Sequence, residues 1–518
     1  MFWADRLAKE IEEKHGKGAT VRIRDEKTMS GWAHIGSMLS ASIHGTISEA
    51  LAEQNIKNLY FFEFNDMDAF DSVPVYLESK KFEEHLGKSL RDVPSPDGKA
   101  SSYATYFAND FRGVIEGAGF NPDFDFSSDW YFSGKMDGVI CEALEGAETI
   151  RRIYKEVSGG ERQDQWLPLL TKCPRCSKIA TTEAEAFDGE TVKLHCRVDK
   201  VEYTRGCGFE GRISPFGGNA KLPWKVEWAA KWKVRNVMVE GGGKDHGTRG
   251  GAHEVADRIS REVFMYDTPY FFAHEFFLVG GKKISSSKGL GSTARAVFEL
   301  LPQKMFRLSL LGKDINQQRN FDPEGDSIPI LYDQYDKLAE NYWAGTKDDY
   351  ARLFEVIHLF EPEGSSESER PARQIPSTSV LPRFSQVAFV VQMPHMDLAQ
   401  EFSGADPHEL EERAAYAKKW LEAYAPEKYV FKLQDTLPEA ANNLTDAQKS
   451  AVKALADFIE SQSNMPSGEA LHTKLHELKE FKAIYLLFLG KESGPKAGWF
   501  LSVLPRDFVL RRLHEASV

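Results

Sequence analysis

The sequence is poor in cysteine, with only five in 518 residues. That is too few for a disulfide framework in a chain of this length, and it indicates a reducing compartment. We therefore expect a cytoplasmic protein. No run of about 18 uncharged apolar residues occurs, so no segment is expected to span a membrane.

The sequence also lacks an excess of positive charge, because its formal net charge is −13. This balance argues against a protein that coats DNA or RNA with its whole surface, and we expect neither DNA nor a membrane as a partner. The negative net charge is still compatible with a nucleic acid that binds a local basic patch. Residues 1–17 have the charged, amphipathic pattern of a helix and not that of a signal peptide.

The most informative stretch is Thr28–Ser37, which reads TMSGWAHIGS. A β-type run, Ala19–Ile23, precedes it, a helical pattern follows from His34 to Gln54, and a second apolar strand spans Leu59–Phe64. This order predicts a βαβ unit whose small-residue turn lies at a helix N-terminus, where free backbone N–H groups favour a phosphate. Taken alone, a histidine in such a turn is more often an ordinary surface or core residue than a ligand of phosphate.

The α/β pattern is interrupted after the second strand and resumes near Val237. There a short strand precedes a glycine-rich turn at 241–247, a helix at 253–264 and a strand at 270–279. From about Arg295 the pattern is helical, and Thr445–Gln448 is typical of a capping box that opens a helix.

The expected fold is therefore α/β: a Rossmann-type domain with a parallel sheet and a zinc-bearing insertion, followed by an all-α C-terminal domain. The predicted divisions are residues 1–99 and 216–295 for the two halves of the catalytic domain, 100–215 for the insertion, 296–345 for a helical region, and 346–518 for the all-α domain.

Four of the five cysteines, Cys173, Cys176, Cys196 and Cys207, lie within 35 residues. A CxxC pair places two sulfurs on one side of a tight turn, as tetrahedral Zn²⁺ requires, and a hairpin between the later two would bring them together. The pattern predicts one closed structural zinc site. Buried reduced thiols and a redox CxxC are the alternatives, and the absence of a thioredoxin-like βαβ unit argues against the second.

A second polar segment, Lys283-Ile284-Ser285-Ser286-Ser287-Lys288, follows the strand at 270–279. Its hydroxyl and ammonium groups suit a clamp on a triphosphate, although a solvated surface loop would have the same composition. The combination of this segment with the histidine turn is far more specific than either alone.

Together these residues resemble the class I aminoacyl-tRNA synthetases: His34–Ser37 is similar to the HIGH motif and Lys283–Ser287 to KMSKS. Within that class, the sequence most resembles the class I lysyl-tRNA synthetase family. Further stretches carry the resemblance: Ser30-Gly31, Lys221–Trp224, Glu227-Trp228, Gly243–His246, Gly206–Gly208 and Gly490–Pro495.

The resemblance implies an enzyme that uses ATP with Mg²⁺ to activate L-lysine and transfers it to tRNA(Lys). It also implies roles for individual residues. ATP phosphates would be bound by His34, Gly36 and Ser37, and the departing pyrophosphate by Lys283, Ser285, Ser286, Ser287 and Lys288. Adenosine would lie near Gly243 and Asp245, lysine would lie among Ser30, Gly31, Trp224 and His246, and the helical C-terminal domain would bind the anticodon.

The sequence departs from the family pattern at three places. Ser37 replaces the last histidine of the first motif, and Ser286 replaces a lysine of the second, so Lys283 or Lys288 must supply that charge. The ligands of a second metal site are absent from 95–106, which predicts one zinc ion and not two.

Other assignments stay open on the sequence alone. They are a sister class I synthetase for glutamate, arginine or cysteine, a paralogue that binds ATP or tRNA without aminoacylation, and a nucleotidyltransferase. The carboxylate that would receive the lysine ammonium is not identifiable from the sequence.

Overall fold

The computed structural model describes residues 1–281, 293–361, 372–393, 396–494 and 496–517. It divides into two compact units. The first comprises 1–322 and 337–375, and the second comprises 323–336 and 376–518. Among the helices of the described residues, none combines the length and apolar character needed to cross a bilayer.

The helices of the first unit, together with the one that contains the unit boundary, are α1 (Trp3–His15), α2 (Ile35–Glu53), α3 (Ser79–Phe82), α4 (Tyr103–Gly117), α5 (Ser127–Phe132), α6 (Asp137–Glu145), α7 (Ala147–Ser158), α8 (Trp224–Arg235), α9 (Ala252–Glu262), α10 (Ala294–Leu300), α11 (Gln303–Leu311), α12 (Ser327–Trp343) and α13 (Asp349–Ile357). Its strands are β1 (Val21–Thr28), β2 (Asn58–Asn65), β3 (Asp123–Phe126), β4 (Leu170–Thr171), β5 (Thr182–Glu185), β6 (Val192–Cys196), β7 (Glu210–Ile213), β8 (Ala220–Lys221), β9 (Val239–Gly243), β10 (Tyr270–His274), β11 (Phe277–Val279) and β12 (Arg319–Phe321).

The core of the first unit is a parallel sheet of five strands in the order β10-β9-β1-β2-β3. Strand β1 pairs with β2 along its whole length, from Val21 opposite Asn58 to Thr28 opposite Asn65. Helix α2 connects them, so the predicted βαβ unit is confirmed. The chain order changes direction beside β1, and in such a sheet ligands bind outside the carboxyl ends of the strands.

Three local predictions differ from the structure. The glycines at 241–243 belong to strand β9 and not to a turn. Phe272 of the neighbouring strand occupies the space that a side chain at Gly241 would need, which explains the glycine there. The strand expected at 270–279 is two strands, β10 and β11, which belong to different sheets. Strand β3 lies inside the range 100–215 predicted for the insertion, so the sheet is interrupted only after Phe126.

The cysteine-bearing segment forms a separate antiparallel sheet, β5-β6-β7. Buried side chains of this sheet, such as Val192, join a hydrophobic cluster that includes Trp232 of α8 and Ile259 of α9. The segment therefore shares its core with the body of the first unit.

The described part of the second unit contains helices and no strands. These helices are α14 (Phe384–Val390), α15 (Leu398–Glu401), α16 (Pro407–Ala423), α17 (Asp446–Glu460), α18 (Gly468–Leu478), α19 (Lys482–Leu489), α20 (Ala497–Ser502) and α21 (Arg506–Ser517). Thr445 and Gln448 form the predicted capping box at the start of α17. The fold class expected from the sequence, a parallel α/β domain followed by an all-α region, is confirmed.

Candidate active site

A cavity of about 500 Å³ lies in the first unit at the carboxyl ends of the central strands. This is the position at which open α/β sheets bind ligands. The residues that line it come from β1, the start of α2, β9 and the turn after it, the start of α8, and the end of β10. They include Arg24, Asp25, Glu26, Lys27, Thr28, His34, Gly36, Ser37, Ser40, Asp68, Trp224, Trp228, Glu240, Gly241, Gly242, Gly243, Asp245, His246, His274, Glu275, Phe276 and Phe277.

One end of the cavity is formed by the N-terminus of α2. His34 is the N-cap residue, and its Nδ1 accepts a hydrogen bond from the backbone N–H of Ser37 at 3.2 Å. A Cβ at Gly36 would lie 2.9 Å from that same Nδ1, so glycine is required for the imidazole to fold back over the helix. The arrangement presents backbone N–H groups and the helix dipole to the cavity, which favours an anion there.

The glycine strand β9 forms a second wall. The N–H of Gly241 donates to Nε2 of the buried His44 at 2.8 Å, which fixes the strand against α2. Burial lowers the pKa of His44 to about 4, so the ring stays neutral and accepts this bond. Beyond the strand, the N–H of His246 donates to the carbonyl of Gly243 at 2.9 Å, and this turn places Asp245 and His246 at the cavity.

Aromatic rings form a third wall. Trp224 and Trp228 lie one helical turn apart on α8, and their rings are stacked with centroids 6.1 Å apart and planes inclined by 25°. His246 meets both rings edge-on, at 5.8 Å from Trp224 and 5.9 Å from Trp228. Trp224 is 46% exposed, so its face is available to a ligand.

Charged side chains form the floor. The fully buried Arg24 binds three carboxylates: those of Glu26, Glu63 and Glu240. Glu240 also accepts from the indole N–H of Trp228 at 2.9 Å. Burial raises the pKa of Glu240, although the guanidinium of Arg24 opposes this.

Two further buried groups face the cavity. Burial raises the pKa of Asp25 to about 7, and the pKa of His274 falls to about 4 for the same reason. Ser40 and the backbone N–H of Glu26 both donate to Oδ1 of Asp25, at 3.1 and 2.9 Å, whereas its Oδ2 accepts no hydrogen bond from the described residues.

Of the nine predicted nucleotide- and lysine-binding residues that the structure describes, seven line this one cavity: His34, Gly36, Ser37, Trp224, Gly243, Asp245 and His246. Ser30 and Gly31 are not among the residues that line it. The carbonyl of Ser30 accepts from the hydroxyl of Tyr103 at 2.9 Å, and the hydroxyl of Tyr76 closely covers Gly31.

The predicted residues of the second motif, Lys283, Ser285, Ser286, Ser287 and Lys288, lie outside the described residues. Described residues near both ends of that segment contact or line the cavity region. Phe276 and Phe277 line the cavity before it, and Thr293 after it forms a β-bridge with His34. The N–H of Ala294 also donates to the carbonyl of Ala33 at 2.8 Å.

The four predicted metal ligands are clustered in the cysteine-bearing segment. The sulfurs of Cys173, Cys176, Cys196 and Cys207 all lie within 4.8 Å of one another. Cys173 and Cys207 are 3.5 Å apart and Cys176 and Cys196 are 3.7 Å apart. A Cβ at Gly206 would lie 2.1 Å from the carbonyl of Arg197 and 2.9 Å from the Cys196 sulfur, so only glycine fits there. This donor set suits a tetrahedral thiolate-bound ion.

Several residues of the cavity carry no predicted role from the sequence, namely Arg24, Asp25, Glu26, Asp68, Trp228, Glu240 and His274. A signal for some of them was present in β1, whose run of charged residues precedes the histidine turn directly. Charged residues in a strand usually indicate a solvated face, so the charged residues of β1 were not predicted to line a site.

A family model described as "tRNA synthetases class I (K)" matches residues 1–363. A lysine–tRNA ligase from Methanosarcina barkeri (strain Fusaro) is 30% identical over 545 residues, which cover 100% of this chain and 98% of the relative. One from Thermoplasma acidophilum is 28% identical over 527 residues, which cover 99% of this chain and 98% of the relative.

Among solved structures, a glutamate tRNA ligase from Elizabethkingia meningosepticum covers 96% of this chain and 99% of its own, at 12% identity and a TM-score of 0.44. A likeness of that degree carries no argument about function. The family model and the full-length relatives confirm the resemblance that the motifs indicate. The chain belongs to the class I (K) tRNA synthetases.

Proposed function

We propose that this protein is a lysine–tRNA ligase, which activates L-lysine with ATP and transfers it to the terminal adenosine of tRNA(Lys). The observation that carries the proposal is the single cavity, in which an anion-binding helix N-terminus faces an aromatic and acidic pocket. The full-length relatives named lysine–tRNA ligases support the same assignment.

In the first step, a carboxylate oxygen of lysine attacks the α-phosphorus of ATP, and the bond to the bridging oxygen of pyrophosphate breaks. His34, Gly36 and Ser37 would stabilise the charge on the phosphoryl oxygens, because the N–H groups and the imidazole converge at the start of α2. No covalent intermediate with the protein is required, so the rate enhancement would come from positioning and electrostatics.

The adenosine would lie along β9, near Gly243 and Asp245. The side-chain-free edge of Gly241–Gly243 lines the cavity, so a flat base can approach the backbone closely.

Lys283, Ser285, Ser286, Ser287 and Lys288 would hold the departing pyrophosphate, whose charge Mg²⁺ would share. Support for this role comes from the ends of the segment. After the segment, Thr293 forms a β-bridge with His34, and before it, Phe277 lines the cavity. Described residues before and after the segment therefore lie at or beside the cavity, which supports this role.

Lysine would lie against Trp224 and His246, whose rings offer an apolar wall for the methylene chain and a face for a cation. Ser30 and Gly31 contact other residues, so we assign them an indirect role: they would shape the turn that carries His34. In the second step, the 2′- or 3′-hydroxyl of the terminal adenosine of tRNA attacks the lysyl carbonyl and releases AMP.

We further propose that the four-cysteine cluster holds one structural Zn²⁺. A tetrahedral site with Zn–S bonds of about 2.3 Å separates its sulfurs by about 3.8 Å, and the separations of 3.5 and 3.7 Å are close to that value. All four ligand positions would be occupied by sulfur, so the ion would stabilise the β5-β6-β7 region and take no part in the reaction.

The helical second unit would bind the anticodon of the tRNA. It carries an exposed aromatic ring, Trp499, with the ammonium of Lys496 5.2 Å from its centroid. Aromatic and basic side chains of this kind stack on and neutralise unpaired nucleotides.

The test is pyrophosphate–ATP exchange with each of the standard amino acids, with tRNA(Lys) present throughout. Lysine alone is expected to support exchange. Exchange supported by glutamate, arginine or cysteine in place of lysine would contradict the assignment, and so would exchange supported by none.

A further inference from the structure

The cavity contains more than one carboxylate, and their positions differentiate their roles toward a diamino acid. We propose that Glu26 receives the side-chain ammonium of the amino-acid substrate and thereby determines specificity for lysine. This inference rests on the proposed function and assigns the acid that recognises the substrate.

The first argument is the charge balance beneath the cavity. Four cations beneath the cavity form ion pairs with six carboxylates. The cations are Arg24, Lys221, Lys231 and Arg235, and the carboxylates are Glu26, Glu63, Asp68, Asp125, Glu227 and Glu240. On the opposite face of β1, burial raises the pKa of Asp25 and lowers that of Lys27, so it disfavours the charged form of both groups. Within the described residues, this network therefore has an excess of two carboxylates, and a lysine carries two ammonium groups.

The second argument is access. The side chain of Glu240 is only 5% exposed, which closes its carboxylate to a substrate. Glu26 and Asp68 line the cavity with side chains that are 22% and 28% exposed. Among the carboxylates of this ion-pair network, Glu26 and Asp68 are therefore the two that combine exposure with a place in the cavity wall.

The third argument is spacing. Asp68 accepts from the hydroxyl of Thr28 at 2.6 Å, so it lies at the end of β1, next to the turn that carries His34. Glu26 lies two residues before Thr28 on the same face of the strand, so the Cα atoms of Glu26 and Thr28 are about 6.6 Å apart. An extended lysine separates its two nitrogens by about 7 Å, from ordinary bond lengths. With the α-amino group at Asp68 and the carboxylate directed to the phosphates, the side-chain ammonium reaches Glu26.

Glu26 is also held rigidly. Its Oε1 accepts from Asn65 at 2.8 Å, and its Oε2 accepts from Lys231 at 3.1 Å and from Arg24. Because this carboxylate is already fixed, little reorganisation is needed when an ammonium group binds to it. A substrate without a side-chain ammonium cannot make this contact and is therefore disfavoured.

The experiment compares L-lysine with L-6-hydroxynorleucine, in which a hydroxyl replaces the side-chain ammonium, in ATP–pyrophosphate exchange with tRNA(Lys). We expect Glu26→Gln to lower the lysine-to-hydroxynorleucine ratio of kcat/KM by roughly 10- to 100-fold, since it removes one charge-assisted contact. Asp68→Asn is expected to weaken both substrates alike and to leave the ratio unchanged. Glu142→Gln removes an ion-paired glutamate that does not line the cavity, and it serves as the matched control.

Glu26→Asp provides a second test that retains the charge. The shorter side chain withdraws the carboxylate, so the variant is expected to favour L-homolysine over L-lysine relative to the wild type. Wild-type exchange with lysine combined with unchanged preferences in both variants would overturn the role of Glu26 and leave the proposed function intact. No exchange with lysine in the wild type would overturn the proposed function itself.

Discussion

The carboxyl group of Asp25 is the buried acid whose replacement tests the electrostatics of the cavity most simply. Burial raises its pKa to about 7, from an ordinary value of 3.8. An asparagine at this position would retain the oxygen that accepts from Ser40 and from the N–H of Glu26. We therefore predict that Asp25→Asn stabilises the first unit at alkaline pH with little change to the hydrogen bonds around it.

The magnitude follows from the two pKa values. Because the folded-state pKa lies above the unfolded one, the folded state binds the proton more tightly, and stability is lost as pH rises from about 4 to about 7. One pKa unit corresponds to about 1.4 kcal/mol, so this one group should lower the free energy of unfolding by roughly 2–3 kcal/mol between pH 5 and pH 8. Asp25→Asn should remove that part of the pH dependence.

The assay is urea denaturation followed by tryptophan fluorescence at pH 5 and pH 8, for the wild type and Asp25→Asn. The difference between the two proteins should be larger at pH 8 than at pH 5, with the variant the more stable at pH 8. Equal pH dependence in the two proteins would refute the assignment of a buried, protonatable carboxyl at this position.

Three other replacements test separate parts of the account. His34→Ala should reduce the rate of pyrophosphate exchange by about 10²-fold with little change in lysine affinity, because the imidazole acts on the phosphoryl group. A large rise in the dissociation constant for lysine, measured calorimetrically, would contradict this prediction. Cys176→Ser should lower both the metal-to-protein ratio by elemental analysis and the melting temperature, and an unchanged ratio would remove the zinc site. Thr445→Ala should lower the free energy of unfolding by about 1 kcal/mol in denaturant unfolding, because it deletes the hydroxyl that accepts from the N–H of Gln448 at the start of α17. An unchanged free energy of unfolding would mean that this cap does not contribute to stability.

Local patterns were sufficient to predict the central fold. The βαβ unit around His34 could be predicted because Val21 and Ile23 alternate in β1, β2 is apolar, and the helix begins at a polar turn. The division of the chain was harder, because β3 is a strand of four residues that pairs with β2 across a long intervening segment. A short strand of this kind gives little periodic signal, and its place in the sheet depends on distant contacts.

The site was predicted where a motif supplied it and missed where distant residues create it. His34, Trp224 and Asp245 belong to recognisable stretches, and all line the cavity. The charged floor has no such signature: Arg24 bonds to Glu63 and Glu240, which are 39 and 216 residues away. Only the parallel pairing of β1 with β2 and β9 places these side chains together.

The central claim is that one cavity binds the nucleotide at the start of α2 and the lysine beside Trp224. The most direct measurement is a crystal structure of the protein with a non-hydrolysable lysyl-adenylate analogue. We predict the phosphate surrogate within hydrogen-bond distance of the N–H groups at Gly36 and Ser37, and the lysine side chain between Trp224 and Glu26. An analogue bound elsewhere, or with its lysine directed away from the α8 wall, would contradict the account.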